Sequence, residues 1–220
     1  MKTIPHKIIL ADDHILLRDA LAGLVNSFKE FIVIATAADG NEVITSIKEI
    51  GQPDILLMDL NMPGMNGYDA ATLIAQLYPR VKTVILSIQD SEIAILRLLQ
   101  IGVAGFLKKD IHPDELKKAL LVVASGKNYY SHEAAIKIID LLRKKAESNL
   151  SLEELLLNEQ ELEFLKLVST DMTYLEIARA MRLSLRHIER YRQALFVKLQ
   201  VDSRVGLAIY AFRNGILDYK

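Results

Sequence analysis

The 220-residue chain contains no cysteine, which excludes disulfides and thiolate metal sites and is compatible with a reducing compartment. No uncharged stretch reaches the roughly 18 residues that a bilayer-spanning helix needs. The first apolar run, Lys7–Ala11, is broken by acids after five residues and so lacks the longer apolar core of a signal peptide. A soluble, cytoplasmic protein is expected. There is also no charge of one sign in excess. The net charge is −1, residues 1–149 hold 17 Lys+Arg against 18 Asp+Glu, and residues 150–220 hold 10 of each. A uniformly basic nucleic-acid binder is therefore excluded, and any such signal must be local. Internal repeats and low-complexity tracts are absent as well.

What is present is an alternation. Between residues 7 and 126, strand-like and helix-like segments follow one another about every 25 residues. The strand candidates are Lys7–Ala11, Phe31–Ala37, Asp54–Met58, Thr83–Ser87 and Gly105–Lys108. Each is apolar throughout, as strands buried on both faces are. Helical patterns fill the gaps at 14–25, 41–51, 68–79, 92–102 and 114–126, with Gly51 and Gly102 placed where a helix end needs a left-handed residue. The expected fold is a doubly wound parallel sheet of five strands. After Gly126 the strand pattern stops. One more amphipathic helix is predicted over 132–147, and a small all-α domain follows. Capping-box spacings at Ser151/Glu154, Asn158/Glu161 and Thr173/Glu176 mark its helix starts. The expected domains are 1–126, a helical linker 127–150, and 151–220.

Chemistry gathers at the strand ends: Asp12 and Asp13 after the first strand, Asp59 after the third, Ser87 after the fourth and Lys109 after the fifth. Parallel strands would bring these ends to one crevice. Hard oxygen ligands suit Mg²⁺, which takes one or two carboxylates and completes its shell with water and phosphate oxygens. A carboxylate can also be the nucleophile in phosphoryl transfer, and Asp59, alone at the end of a central strand, fits that role. Lys109 would supply a point charge and Ser87 a hydrogen bond. Taken singly, Asp12 or Asp13 would serve equally well to cap a helix starting near His14, and Lys108 or Lys109 could be surface lysines.

Residues 5–126, through ILADDH, LLMDLNMPGMNG, VILS and GVAGFLKKD, resemble the receiver domain of bacterial two-component response regulators. The resemblance implies a flavodoxin-like fold with Asp59 as phospho-acceptor. It implies that Asp12, Asp13, Asp59 and the backbone carbonyl of Asn61 are Mg²⁺ ligands, that Ser87 and Lys109 are phosphoryl contacts, and that Ser87 and Phe106 are switch residues. Lys109 rather than Lys108 matches the family's aromatic-Leu-x-Lys pattern. Strand alternation agrees, placing Lys109 with Leu107 and Lys108 with Phe106. Haloacid-dehalogenase-type phosphatases use similar groups, but they need an acid two positions after the nucleophile. Here that position is Asn61, which disfavours turnover of external phosphoesters.

In the second half, TYLEIARAMRLSLRHIERYRQALFVKLQV has helix-turn-helix spacing. Leu175, Ile177, Ala178 and Met181 are expected to face inward, Ser184 to cap the second helix, and Ile188, Leu195 and Leu199 to line its core. The opposite face carries Arg186, His187, Arg190, Arg192, Gln193 and Lys198, the expected DNA contacts. From Arg182 to Lys198 there are five Lys/Arg and one Glu. Residues 151–217 resemble the output domain of the LuxR/NarL/FixJ type, whose last helix, here Arg204–Asn214, dimerises. There are departures. Leu157–Glu161 replaces Leu-Thr-x-Arg-Glu, and Asp171 and Gln200 replace common glycines. Glu189 replaces a frequent Lys, where a carboxylate would repel phosphate or accept from a cytosine amino group.

Together the resemblances imply a phosphorylation-dependent transcriptional regulator, not an enzyme beyond its own phosphotransfer. Its partners would be a sensor histidine kinase, double-stranded DNA and RNA polymerase, with no membrane, and it would form a homodimer on phosphorylation or DNA binding. The competing expectation is a DNA- or protein-binding regulator without phosphate control.

Overall fold

The computed structural model describes residues 4–88, 92–148, 157–199, 201–213, 216 and 217. The chain divides into two compact units on either side of Ile139 and Asp140. Among the described residues, no helix is long and apolar enough to cross a membrane.

The first unit is a parallel sheet built from β1 (His6–Ala11), β2 (Phe31–Ala37), β3 (Ile55–Asp59), β4 (Lys82–Ser87), β5 (Gly105–Lys108) and β6 (Tyr129–Tyr130). Their order is β2-β1-β3-β4-β5-β6, with every neighbouring pair parallel. The expected five-stranded sheet is thus corrected to six. Gly126, at φ +84°, ends the last helix of the alternation, and the chain then returns along the open edge of β5. There Tyr129 pairs with Gly105 and Tyr130 with Phe106. The Tyr129 N–H donates to Ala104 O at 2.9 Å and the Ser131 N–H to Phe106 O at 3.0 Å.

The connecting helices are α1 (Ile15–Ser27), α2 (Gly40–Ile50), α3 (Gly67–Leu77), α4 (Glu92–Ile101) and α5 (Pro113–Ala124), with α6 (His132–Ser148) after β6. Alternate strand residues enter two cores. Ile9, Met58, Ile85 and Phe106 face one, shared with α2, α3, α4 and the start of α6; Ile8, Leu57, Leu86 and Leu107 face the other, shared with α1 and α5. Burial on both sides is why these strands read as unbroken apolar runs. Gly51 (φ +104°) and Gly102 (φ +85°) do end α2 and α4 in the left-handed region.

A different constraint acts at Gly67. Its N–H donates to Leu60 O at 2.9 Å, and a Cβ there would lie 2.3 Å from Asp59 O and 2.7 Å from Leu60 Cα. Helix α3 therefore starts directly against the backbone that presents Asp59.

The second unit contains α7 (Glu159–Val168), α8 (Tyr174–Ala180), α9 (Leu185–Leu199) and α10 (Arg204–Arg213). The capping boxes Asn158/Glu161 and Thr173/Glu176 start α7 and α8. Ser151/Glu154 lies outside the described residues, as do Gln200 and Asn214. Helices α8 and α9 are joined by a turn with Arg182 at φ +55°. Ser184 Oγ accepts from the His187 N–H at 3.3 Å, and Ile188 and Leu195 are buried as expected.

Leu175 is a correction: it is 49% exposed. Ile177, Ala178 and Met181 set the inner stripe of α8, and Tyr174, one position earlier, takes the inner place. Its ring lies beneath the guanidinium groups of Arg192 (5.1 Å) and Arg204 (5.4 Å). Arg204 also donates to the carbonyls of Val168, Thr170 and Met172, which fixes the turn between α7 and α8 to the first residue of α10.

Candidate functional site

Strand ends place the two buried carboxylates of the first unit's crevice. Asp12 follows β1 and Asp59 closes β3, the two neighbours between which the chain order of the sheet reverses, and such a point forms a crevice at the carboxyl ends. Asp12 is 2% exposed and Asp59 3%, while Asp13 is partly exposed. The Lys109 ammonium, arriving from the end of β5, lies 2.8 Å from Asp12 Oδ2 and 2.8 Å from Asp59 Oδ2. Asp59 Oδ1 accepts from the Leu60 N–H at 2.7 Å, and Asp12 Oδ1 from the His14 N–H at 2.9 Å. Lys108 turns the other way and pairs with Glu133 at the start of α6. Among the two adjacent lysines, only Lys109 bridges Asp12 and Asp59.

The electrostatics follow from burial. Removal from water raises the Asp59 carboxyl above its ordinary value of 3.8, and the neighbouring Asp12 charge adds to this. The Lys109 hydrogen bond and charge work against the rise without cancelling it. For Lys109, burial opposes the charged form, but its hydrogen bonds to Asp12 and Asp59 outweigh burial and raise it above 10.5. One buried ammonium thus faces two buried carboxyls and a third nearby, an anionic site with room for more positive charge.

One ligand atom from each of Asp12, Asp13, His14 and Asp59 lies within 4.8 Å of all the others. Asp13 Oδ1, shielded from water, has no hydrogen bond of sound geometry, and its close neighbour is His14 Nδ1 at 2.8 Å. Three carboxylates with a spare oxygen fit a hard divalent cation. His14 is the member that strand-end reasoning passed over, although its adjacency to the Asp pair was visible in the sequence. A cleft of about 500 Å³ opens over this cluster, lined by Asp13, His14, Asp59, Asn61, Met62, Pro63, Ile88 and Lys109. Ser87 is not among these: it is fully buried below, with its carbonyl accepting from the Lys109 N–H at 3.1 Å. Phe106 is also buried, in the same apolar cluster as Tyr130, Ala134 and Ile138.

In the second unit, α9 separates the six expected contacts into two groups. Arg186, Arg190 and Gln193 are exposed and have no side-chain partner among the described residues. The others are engaged within the fold. His187 Nδ1 lies 2.8 Å from Ser184 Oγ, Arg192 stacks on Tyr174, and Lys198 donates to both oxygens of Glu161, at 2.8 and 3.1 Å. Lys198 is thus a correction: it is held against the α7 capping box instead of standing on the outer face.

The chain matches two family models, the response regulator receiver domain over residues 8–121 and the LuxR family of bacterial regulatory proteins over residues 155–211. This chain is a LuxR-type two-component response regulator. Among its relatives, the oxygen regulatory protein NreC of Staphylococcus haemolyticus (strain JCSC1435) is 30% identical over 217 residues, spanning 97% of this chain and all of that one. NreC of Staphylococcus aureus (strain bovine RF122 / ET3-1) is equally similar. A LuxR-family response regulator from Aurantimonas sp. SI85-9A1 superposes with a TM-score of 0.59 at 28% identity, covering 62% of this chain and 97% of that one. RcsB of Salmonella enterica serovar Typhimurium, solved bound to a promoter with phosphomimetic BeF3⁻, has the same fold. It superposes with a TM-score of 0.66 at 23% identity, covering 96% and 99% of the two chains. The response regulator therefore joins a receiver to a DNA-binding helix-turn-helix domain, and its family is one of transcription regulators, not of classical enzymes.

Proposed function

We propose that Asp59 stores a phosphoryl group received from a sensor histidine kinase or a small phosphodonor, and that this controls DNA binding by the second unit. The supporting observation is the Lys109 ammonium held 2.8 Å from both Asp12 and Asp59 at the floor of an open cleft. An Asp59 carboxylate oxygen attacks phosphorus, the phosphorus–nitrogen bond of the donor phosphohistidine breaks, and the imidazole leaves with the electron pair. Asp12, Asp13, Asp59 and the Asn61 carbonyl would hold Mg²⁺, which when bound neutralises charge on the phosphoryl oxygens. Lys109 already stands beside the acceptor and turns its donors to the new dianion. Ser87 lies below the cleft, so its hydroxyl must come upward to reach the phosphoryl group, and Phe106, buried on the neighbouring strand β5, would repack in response.

Phe106 is paired with Tyr130 and packed in one cluster with Ala134 and Ile138, so its repacking would pass to β6 and α6. We propose a receiver that includes β6 and the start of α6, a connection through the rest of α6, and a DNA-binding domain over 151–220. Val205, Ile209 and Phe212 are exposed on α10 and would form a homodimer contact, which places two α9 helices on a two-half-site operator. Phosphate need only bias an equilibrium that exists without it. The site of action is the cytoplasm.

Labelling with acetyl phosphate in Mg²⁺ tests this reading. Label is expected on the wild type and none on Asp59→Asn with its fold intact; label surviving at another residue would overturn the assignment.

A further inference from the structure

Glu189 lies on the exposed side of α9 together with Arg186, Arg190 and Gln193. These four stand at i, i+3, i+4 and i+7 and so form one stripe within the first three turns of the helix. None has a side-chain partner among the described residues. Glu189 stays unpaired although Arg186 is one turn before it and Arg190 is adjacent. The polar residues outside this stripe are already occupied: His187 with Ser184, Tyr191 with Gln160, Arg192 with Tyr174 and Lys198 with Glu161. The stripe is therefore the solvent-facing part of α9 whose polar side chains are not engaged within the fold.

Resting on the reading of α9 as the helix that enters the major groove, we infer that Glu189 selects a cytosine in each half-site of the operator. Charge and donor pattern eliminate the other three bases. A carboxylate among DNA phosphates is repelled unless it finds a donor. Guanine offers N7 and O6, both acceptors, and thymine offers O4 and a methyl group. Adenine has an N6 amino group, but the neighbouring N7 faces the second carboxylate oxygen with a lone pair. Cytosine alone presents its N4 amino group without an adjacent major-groove acceptor on the same base. Glu189 thus rejects three bases and accepts one, while Arg190 beside it supplies donors for a guanine edge or a phosphate and offsets the like charge. A helix of this kind reads base edges through its N-terminal turns, where Glu189 lies.

The test is selection from a random duplex library by the full-length protein, treated with acetyl phosphate and Mg²⁺, run in parallel for wild type, Glu189→Gln and Glu189→Ala. Wild type is expected to enrich duplexes with a cytosine at one position of each half-site. Both variants should lose that preference and keep the others, with Glu189→Gln turning toward adenine. Replacing that cytosine by thymine should weaken the wild type about tenfold or more and leave Glu189→Ala within about twofold. Unchanged base preference in the variants overturns the inference. So does uniformly tighter binding to every duplex, since that would make Glu189 only a repulsive charge. If the wild type enriches no duplex at all, the reading of α9 as a recognition helix fails and this inference with it.

Discussion

Lys109 and Asp59 form an ion pair 2.8 Å long across the ends of β5 and β3, and the same ammonium is held equally close by Asp12. One cation therefore balances two carboxyls that are both almost fully buried. Removing it leaves two like charges in a poorly solvated place.

Lys109→Met is expected to destabilise the protein by about 3 kcal/mol, as loss of one partner of a buried pair does. Mg²⁺ should restore much of the loss, because a divalent cation bound by the same carboxylates replaces the missing charge and stabilises only the folded state. Urea denaturation with and without Mg²⁺ checks both parts. An equal loss in both conditions would mean that the carboxylates hold no cation.

The raised Asp59 carboxyl carries a sign for pH. Its folded value lies above the unfolded one of 3.8, so ionised Asp59 costs stability at neutral pH. That cost is fully present above the folded value and fades as pH falls toward 3.8. Asp59→Asn should therefore melt at a higher temperature than wild type at pH 7 without Mg²⁺, with the gap closing on acidification. A gap that widens toward acid pH would reverse the assignment. Lys109, raised above 10.5 by its two partners, should contribute stability that is lost only in strong alkali.

Gly67→Ala places a methyl group within 2.7 Å of the Asp59 and Leu60 backbones. Neither is the flexible end of a side chain, so α3 or the end of β3 must move. Expected are a loss of about 1–3 kcal/mol and slower labelling of Asp59, even though Gly67 bears no functional group. Labelling at the wild-type rate would show that the approach is not needed.

On α9 the two kinds of cation should part company. Arg190→Ala, on the outer stripe, is expected to weaken DNA binding and reduce the slope of log K against log salt by about 0.9 if it meets one phosphate. Lys198→Met should leave the slope unchanged and lower the melting temperature of the second unit, since its charge-assisted bonds to Glu161 are worth about 1.5–3 kcal/mol. A changed slope for Lys198→Met would put it back at the DNA surface.

How much of this was legible in the sequence depended on range. The five longer strands were visible because burial on both faces writes an unbroken apolar run, and the acidic crevice followed from where those runs end. Asn158/Glu161 and Thr173/Glu176 were visible because capping is chemistry within four residues. β6 was not, since two residues carry no periodicity and its pairing with Gly105 and Phe106 is a long-range event. The burial of Ser87, the capture of Lys198 by Glu161 37 positions away, and the approach of Gly67 to Asp59 are likewise set by tertiary packing. Leu175 was misplaced because Tyr174, aromatic and amphipathic, took the inner position beneath two guanidinium groups.

The return of the chain along β5 also bears on where this protein can be cut and spliced. Dividing it after Gly126, at the end of the alternation, would strip the Ala104 and Phe106 carbonyls of their partners and bare a strand edge beside a large apolar cluster. Such an edge recruits strands from other molecules, so the isolated fragment would self-associate. A transplant of this receiver onto a foreign output domain should keep Tyr129, Tyr130 and Ser131 and join the new partner within α6, where the seam falls on a helix, not on a sheet.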